Sequence, residues 1–403
     1  MGVMSNSYAN EKLNSLGNVP KSVLKPDPCH RAWVEVDSKA IENNSRVLKN
    51  FIKKDCLLMA VVKADGYGHG AITVSKAALR GGADSLGVAT LEEGIELRKA
   101  GLNCQILVLG NLINREELNT SFHWNLVPTI SGIREAIICN NVAEGHSKKF
   151  VIHLKVDTGM TRLGCNLDEF SELVFKIDCL KNLSLEGIYS HLALADEDLE
   201  EKTFSKSFTQ IQKNRFTNVL ASLGERRKTL CCHLANSAGT LSDVRHHLDM
   251  VRVGLSLYGY YPKIDLRSKL HLKPALKVKA RITFIRDVPS GTGVGYGHLF
   301  KTKRKTRLAV VAIGYADGVS RALSGKISGI VHGDLVPQVG AIAMDQMVLD
   351  ITQNQNIKIG TGVTILGSEG KRSISPQEWG DLTGSIPWEI LCGFKNRLPR
   401  VVI

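Results

Sequence analysis

Eight short apolar segments recur between residues 56 and 259, and the stretches between them are long enough to form helices. The segments are rich in Val, Ile and Leu and carry few charges, which is typical of strands buried on both faces of a parallel sheet. They are CLLMAVVK (56–63), DSLGVAT (84–90), QILVLG (105–110), WNLVPT (124–129), VIHLKV (151–156), LEGIYS (185–190), LCCHLA (230–235) and DMVRVGLSLYG (249–259). Eightfold alternation of strand and helix over about 200 residues predicts an α/β fold, a (β/α)8 TIM-type barrel.

Three of the intervening stretches show amphipathic, helix-like spacing of apolar residues. They are residues 91–101, 167–180 and 202–223, and the first ends at a glycine, a common helix terminator. A doubly wound open sheet is the alternative to a barrel, but no GxGxxG motif follows the first apolar segment. The barrel is therefore the favoured prediction.

The pattern changes near residue 266, beyond which short alternating segments are separated by Gly and Pro turns. This pattern predicts a C-terminal, mainly β domain over residues 266–403, after a barrel domain over residues 31–265. The segment RAWVEVD (31–37) predicts a ninth strand, which could join either the barrel or the β domain. Residues 1–30 are polar and rich in Asn and Ser, so we expect a disordered extension there.

Charge and cysteine content bear on partners and location. The net charge is +13, but the densest basic run, KTKRKTR (301–307), carries no aromatic residues, so we predict no nucleic-acid partner. The nine cysteines form no CxxC pair and no zinc-type spacing, which predicts reduced thiols, no metal site and a cytoplasmic protein. No apolar run is long enough to span a membrane, so we expect no membrane partner.

In a (β/α)8 barrel the chemistry lies at the carboxyl ends of the strands, so the polar residues there are candidates. The first strand ends at Lys63 in AVVKADGYGHG, and Tyr67 follows. Lys63 could simply extend its amine to solvent, but a buried lysine can instead be a nucleophile that forms a Schiff base. Tyr67 could donate a hydrogen bond to a phosphate.

Four more polar residues follow the fifth, sixth and seventh strands. Arg162, in KVDTGMTRLG, could bind an oxygen anion or be an ordinary surface arginine. His191, in SHLALAD, could be a structural residue or a catalyst. Asn236 and Ser237 stand where a helix begins, and Ser237 fits both an N-cap and a phosphate contact.

Arg252 lies within the otherwise apolar eighth strand and is followed closely by Gly254. Because a buried arginine needs an anionic or acceptor partner, Arg252 is the strongest single indication of a binding site. The β domain has three polar interruptions, each of which looks like a turn when taken alone. They are GVGYGHLF (293–300), IGYADG (313–318) and AIAMDQM (341–347).

Together these segments resemble the alanine racemases, fold-type III enzymes that depend on pyridoxal 5'-phosphate (PLP). AVVKADGYGHG is similar to the family's cofactor-lysine segment, and the other motifs follow in the family's order: KVDTGMTRLG, SHLALAD, HLANSA, MVRVGLSLYG, VGYG, IGYADG and the MDQ of AIAMDQM. The resemblance covers residues 31–403. It implies a PLP-dependent amino-acid racemase that interconverts L-alanine and D-alanine and supplies D-alanine for peptidoglycan.

The resemblance also implies two catalytic bases. Lys63 would hold PLP covalently and act as one base, and Tyr296 would be the other, supplied by the partner subunit of a homodimer. Arg252 would bind the pyridine nitrogen, and His191 would orient Arg252. Arg162 would contact the cofactor ring oxygen and the substrate carboxylate.

The remaining implied contacts surround the cofactor and the substrate. The cofactor-binding positions would be Lys63, Tyr67, Arg162, His191, Asn236, Ser237, Arg252, Gly254 and Leu255. The backbone N–H of Met344 would bind the substrate carboxylate, and Tyr315 and Asp345 would support the site. Lys155 would support Arg162, and in several family members the lysine matching Lys155 is carbamylated.

Two positions depart from the family pattern. Asn396 stands where some members have an aromatic phosphate contact, and Ala343 stands where some have cysteine. A racemase that prefers serine or accepts many amino acids is the nearest alternative. A basic amino-acid decarboxylase is less favoured, as is a PLP-carrying protein without catalysis, because the β domain with Tyr296 argues against a barrel acting alone.

Overall fold

The computed structural model describes residues 29–196 and 207–403. The extension predicted for residues 1–30 lies outside the described residues, apart from its last two positions. The described chain leads into the barrel through strand β1 (Ala32–Val36) and helix α1 (Ser38–Phe51). Asp37 caps α1, because its carboxylate accepts a hydrogen bond from the backbone N–H of Ala40 at 2.9 Å.

Eight parallel strands close into a barrel, in which the last strand pairs with the first. They are β2 (Leu57–Val61), β3 (Ser85–Val88), β4 (Gln105–Asn111), β5 (Val127–Ile130), β6 (Phe150–Lys155), β7 (Leu183–Tyr189), β8 (Cys231–His233) and β9 (Met250–Val253). Each overlaps one of the eight apolar segments, so the predicted barrel is confirmed. The predicted extent of the last strand is wrong, because β9 ends at Val253 and Leu255–Tyr258 forms a 3-10 turn.

Helices pack against these strands in one hydrophobic core. They are α2 (Ala71–Arg80), α3 (Leu91–Lys99), α4 (Arg115–His123), α5 (Ile133–Ala143), α6 (Phe170–Asp178), α7 (Phe208–Ala221) and α8 (Ser237–Ser242). The three predicted helices correspond to α3, α6 and α7, although residues 202–206 lie outside the described part of the chain. No helix in the described ranges combines the length and the apolar character needed to cross a bilayer.

The C-terminal region is mainly β, as predicted, with its own hydrophobic core. Its strands are β10 (Leu276–Val288), β11 (Gly293–Val294), β12 (Phe300–Lys301), β13 (Thr306–Val311), β14 (Ser328–Val331), β15 (Asp334–Val339), β16 (Met347–Asp350), β17 (Gly362–Glu369), β18 (Arg372–Ile374) and β19 (Arg400–Val402). Two helices that the sequence analysis missed, α9 (Pro376–Thr383) and α10 (Pro387–Gly393), lie between β18 and β19. Each begins with a proline, which is a recognisable start signal.

Strand β1 belongs to the β sheet and not to the barrel, which decides between the two placements that the sequence allowed. It runs antiparallel to β10, with Ala32 opposite Ala280, and parallel to β19, with Val34 opposite Arg400. The sheet order is β18-β17-β14-β15-β16-β13-β10-β1-β19, with a further pairing between β17 and β10. The exact domain boundary near residue 265 stays a prediction.

A buried asparagine on α1 joins the end of the barrel to the segment that enters the β domain. Asn44 Nδ2 donates to the carbonyls of Leu257 at 3.0 Å and Lys273 at 2.8 Å. Its Oδ1 accepts from the backbone N–H of Lys273 at 2.8 Å. All three bonds are made by a side chain with no exposed surface, so removing the amide would leave buried backbone groups unpaired.

We therefore expect Asn44→Ala to lower the free energy of unfolding by about 3 kcal/mol, roughly 1 kcal/mol for each bond. The measurement is urea unfolding followed by circular dichroism. The neighbouring variant Asn43→Ala makes the same chemical change at a half-buried helix position and should have little effect. Equal losses in the two variants would contradict this role for Asn44.

Candidate active site

The lysine predicted to end the first strand lies two residues beyond β2, where it begins a left-handed turn, Lys63–Tyr67. The φ angles of Ala64, Asp65, Gly66 and Tyr67 are 53°, 52°, 59° and 52°. Glu93 Oε1 accepts a hydrogen bond from the backbone N–H of Ala64 at 2.7 Å. The turn places Lys63, which is half-buried, and Tyr67, which is buried, at the carboxyl end of the barrel.

The guanidinium of Arg252 is buried on β9, with 3% of the residue exposed, and no carboxylate pairs with it among the described residues. It donates instead to neutral acceptors. These are His233 Nδ1 at 2.9 Å, the Ser190 carbonyl at 2.7 Å, His191 Nδ1 at 3.0 Å and the Leu234 carbonyl at 3.2 Å. None of these four bonds involves Nε, so its N–H is available to a ligand.

These contacts determine the protonation of both histidines. Because arginine only donates, the Nδ1 atoms of His191 and His233 must accept, so each neutral ring carries its proton on Nε2. Burial is the main cause that holds the pKa of both rings well below the usual histidine value, and the charge of Arg252 acts in the same direction. The predicted contact between His191 and Arg252 is therefore present.

A second layer of buried side chains fixes His233. Its Nε2 lies 3.1 Å from His153 Nδ1, and His233 donates because its proton is on Nε2. Burial lowers the pKa of His153 to about 4. The ring of Tyr189 stacks on His233 with a centroid separation of 4.7 Å, and its hydroxyl lies 2.7 Å from Thr129 Oγ1. Arg252 thus rests on a frame of neutral, hydrogen-bonded groups.

Positive charge accumulates around Arg252. Burial, together with the charges of Arg252 and Arg162, lowers the pKa of Lys155 to about 8. Lys63 acts in the same direction, and Asp157 opposes it. Since several cations share this end of the barrel, an anionic ligand would be bound favourably there.

The carboxylate of Asp157 organises the loop that carries Arg162. Its Oδ1 accepts hydrogen bonds from the backbone N–H groups of Gly159 at 2.8 Å and Thr161 at 3.1 Å. This turn leaves the Arg162 side chain exposed, where the sequence analysis expected it to meet an oxygen anion.

Tyr67, Ser237 and Gly254 form a small polar cradle. A Cβ atom on residue 254 would lie 2.4 Å from Tyr67 Oη, so only glycine permits this approach. The N–H of Gly254 donates to Ser237 Oγ at 3.0 Å, and the buried Ser256 Oγ has no partner among the described residues. Burial raises the pKa of Tyr67, which keeps its hydroxyl a donor. A buried hydroxyl without a partner is typical of a site that a ligand or water completes, so the cradle fits a phosphate.

The N-cap of α8 is Asn236, so the prediction that Ser237 could be the N-cap is wrong. Asn236 Oδ1 accepts from the N–H of Gly239 at 2.9 Å, and its Nδ2 donates to the Leu192 carbonyl at 3.2 Å. Both polar ends of Asn236 are therefore used within the fold, while Ser237 faces Gly254.

Tyr296, Tyr315 and Met344 are not among the buried residues around Lys63. They lie on the β domain with 71%, 42% and 52% of their surface exposed. Two of their loops are tied together, since the N–H groups of residues 315 and 316 donate to the carbonyls of residues 343 and 344 at 3.0 Å. Asp345 accepts from Arg397 at 2.7 Å, and Asn396 is exposed.

Four residues that help to build the site were not predicted from the sequence: His153, Tyr189, His233 and Glu93. The two histidines carried a usable signal, because each interrupts an apolar segment, VIHLKV or LCCHLA, as Arg252 does. Glu93 carried the signal of a capping box with Thr90, but nothing in the sequence indicated that its second oxygen would bind Ala64.

A barrel that offers a lysine, a phosphate cradle and a guanidinium donor at the same end can accommodate PLP, whose amine-reactive carbonyl, phosphate and ring nitrogen need those partners. The β domain joined to the barrel completes the architecture of the fold-type III PLP-dependent enzymes. This is the class that the fold and the site define.

Comparison with known proteins identifies the family within this class. The alanine racemase N-terminal domain matches residues 36–262, and the C-terminal domain matches residues 275–402. An alanine racemase of Prochlorococcus marinus is 60% identical over 379 residues, covering 94% of this chain and 98% of the relative. The chain belongs to the alanine racemase family.

Solved structures agree with this assignment. Alanine racemase from Bacillus anthracis with bound L-Ala-P superposes with a TM-score of 0.84 and 35% identity, over 93% of this chain and 95% of that one. Alanine racemase from Bartonella henselae with covalently bound pyridoxal phosphate gives a TM-score of 0.80 and 30% identity, over 93% and 99%. The predicted racemase activity on alanine and the predicted PLP dependence are confirmed. The roles of individual residues stay predictions.

The buried neutral histidines give the stability a defined pH dependence. His153 titrates near pH 4 in the folded chain and near pH 6.5 when unfolded, so between these values only the unfolded chain binds the proton. Stability should therefore fall as pH falls through this window. Uptake of one proton by His153 on unfolding contributes at most about 1.4 kcal/mol per pH unit to the slope of the unfolding free energy against pH. We expect His153→Gln to remove this contribution.

Urea unfolding at a series of pH values between 4.5 and 7 measures this slope. His123→Gln makes the same chemical change at an exposed position and is the matched control, which should keep the wild-type slope. A His153→Gln variant with the wild-type slope would show that His153 is not buried as a neutral ring.

Proposed function

We propose that each active site combines the barrel of one chain with the β domain of another, and that Lys63 and Tyr296 are the two bases. The observation that carries this proposal is the exposure of Tyr296, which has 71% of its surface open to solvent. A single chain therefore offers one candidate base, Lys63, at the end of the barrel, and the second must come from another chain. Leu299, Tyr315 and Met344 of the β domain are exposed as well, and a second copy that covered these side chains would bury them.

Racemisation requires a proton to be removed from one face of the substrate Cα and returned to the other. Bound PLP acidifies that proton by accepting electrons from the substrate. Lys63 Nζ would move the proton on one face and Tyr296 Oη on the opposite face. Each residue then acts as the base in one direction of the reaction and as the acid in the other.

The other residues would bind and orient. Tyr67 and Ser237, with the backbone of Gly254 and Leu255, would hold the phosphate. Arg162, supported by Lys155, and the backbone N–H of Met344 would hold the substrate carboxylate. The positive charge already gathered near Lys155 supports this arrangement, because it favours both anions.

We further propose that the chain works in the cytoplasm and supplies D-alanine for peptidoglycan. The eight cysteines from Cys56 to Cys392 form no disulfides, which is typical of a reducing compartment. A chiral assay with a panel of amino acids that includes serine would set the substrate range. Racemisation of serine faster than alanine would contradict the proposed role.

A subunit-mixing experiment tests the shared site. Lys63→Ala and Tyr296→Ala should each abolish measurable racemisation of L-alanine. Mixed after partial unfolding and refolding, they should regain about a quarter of the wild-type activity, because half the dimers are hybrids with one complete site of two. The readout is D-alanine formed, measured by chiral chromatography.

The control mixes wild type with a chain carrying both substitutions. Its hybrid dimers contain no complete shared site. The mixture should therefore be less active than the same amount of wild-type chain alone. If Tyr296 acted within its own chain, the first mixture would stay inactive and the second would keep the wild-type contribution.

Arg252 should govern which reaction follows proton removal. An arginine keeps its protons, so it leaves the pyridine nitrogen unprotonated and limits the charge that the ring accepts. Arg252→Glu should therefore produce more pyridoxamine phosphate per racemisation event, measured by chromatography of the released cofactor. A variant that lost overall rate with an unchanged ratio of the two products would contradict this role.

A further inference from the structure

The Lys63–Tyr67 turn adopts a conformation that its sequence does not favour. Ala64, Asp65 and Tyr67 have φ angles of 53°, 52° and 52°, in the left-handed region where a Cβ atom is crowded. Three non-glycine residues in this region within one turn need support from the surrounding fold. The turn carries the lysine and the tyrosine that face the cofactor site, so its support bears directly on cofactor binding.

Part of the support comes from the last strand of the chain. Arg400, on β19, donates through Nε to the carbonyl of Gly68 at 3.1 Å. Its Nη2 lies 3.8 Å from the carboxylate of Asp65. The guanidinium is therefore bound to the turn residue Asp65 and to the residue that follows the turn.

The same guanidinium also fixes the loop before β19. It donates to three carbonyls, of Phe394 at 2.5 Å, Lys395 at 2.7 Å and Leu398 at 2.7 Å. Arg400 is largely buried, and burial lowers its pKa. Its donors thus join two segments that are more than 300 residues apart in the chain.

A backbone contact also joins the residue after the turn, Gly68, to helix α10. A Cβ atom at residue 68, where φ is 79°, would lie 2.6 Å from the carbonyl oxygen of Leu391 on α10. Gly68 therefore packs directly on the backbone of that helix. Asn396, in the loop fixed by Arg400, is exposed and offers no aromatic ring to the phosphate. The link between this loop and the candidate cofactor site is therefore indirect: Arg400 binds the loop, and the same guanidinium binds Gly68 next to the Lys63–Tyr67 turn.

We propose that Arg400 is a positioning residue for the cofactor: it holds the left-handed Lys63–Tyr67 turn and thereby sets the affinity of the chain for PLP. The proposal rests on the proposed function only in taking Lys63 and Tyr67 as PLP contacts. It assigns Arg400 no contact with PLP or substrate.

The test compares Arg400→Ala with Arg281→Ala in the full-length chain. Arg281, on β10, is a matched control, because it also donates to two backbone carbonyls, those of His30 at 3.0 Å and Gly360 at 3.2 Å. It makes no hydrogen bond to the turn. Hydrogen–deuterium exchange of residues 64–70, without and with PLP, reports the order of the turn, and titration with PLP gives the dissociation constant.

We expect exchange in residues 64–70 to accelerate at least tenfold in Arg400→Ala, and the PLP dissociation constant to rise about tenfold, the scale of one lost charged hydrogen bond. Arg281→Ala should change neither, although both variants should melt at a lower temperature than wild type. Arg400→Lys keeps one donor for the Gly68 carbonyl and should recover part of the affinity.

Equal changes in both variants would reduce the effect to general destabilisation and overturn the proposal, as would unchanged exchange and affinity in Arg400→Ala. If Arg400→Ala does not fold, Arg400→Gln and Arg400→Lys are judged by the same two measurements. A wild-type chain that failed to bind PLP would overturn the proposed function, whereas the exchange comparison would still decide whether Arg400 holds the turn.

Discussion

A guanidinium buried without a carboxylate is the constraint on which the active site depends. Arg252 lies inside the barrel wall, and its partners within the described parts of the chain are all neutral, two histidine nitrogens and two carbonyls. A buried charge needs hydrogen-bond acceptors around it, so the loss of any one of these four acceptors would be costly. Burial keeps His191 and His233 neutral, and the charge of Arg252 acts in the same direction, so both Nδ1 atoms can accept its hydrogen bonds.

The same charge determines how the rest of the site responds to ligands. Burial and the charge of Arg252, which has no carboxylate partner among the described residues, lower the pKa of Lys155, and the clustered cations strengthen the attraction for a phosphate or carboxylate. The cradle formed by Tyr67, Ser237 and Gly254 supplies hydrogen bonds but no charge. On the proposed function, the cations would attract the ligand and the cradle would orient it.

The barrel was predictable because strands buried on both faces are continuous apolar segments in the sequence. Arg252 could be identified because it interrupts one of these segments. The left-handed turn at Lys63 was not predictable, since the local sequence around Ala64 and Asp65 does not indicate a run of positive φ angles. The contact of Arg400 with Gly68 joins distant segments, which no local pattern can indicate. The exposure of Tyr296 depends on tertiary packing, so only the family resemblance suggested a partner subunit.

The two ends of the described chain meet in neighbouring strands of one sheet, and this has a consequence for biosynthesis. The barrel lies wholly within residues that leave the ribosome before β19 exists, and domains generally fold in the order of synthesis. Strand β1 precedes the barrel in the chain but gains its parallel neighbour only when β19 has been made. Arg400 reaches Gly68 only after β19 has been made, so a nascent chain can have a complete barrel while the Lys63–Tyr67 turn still lacks this contact.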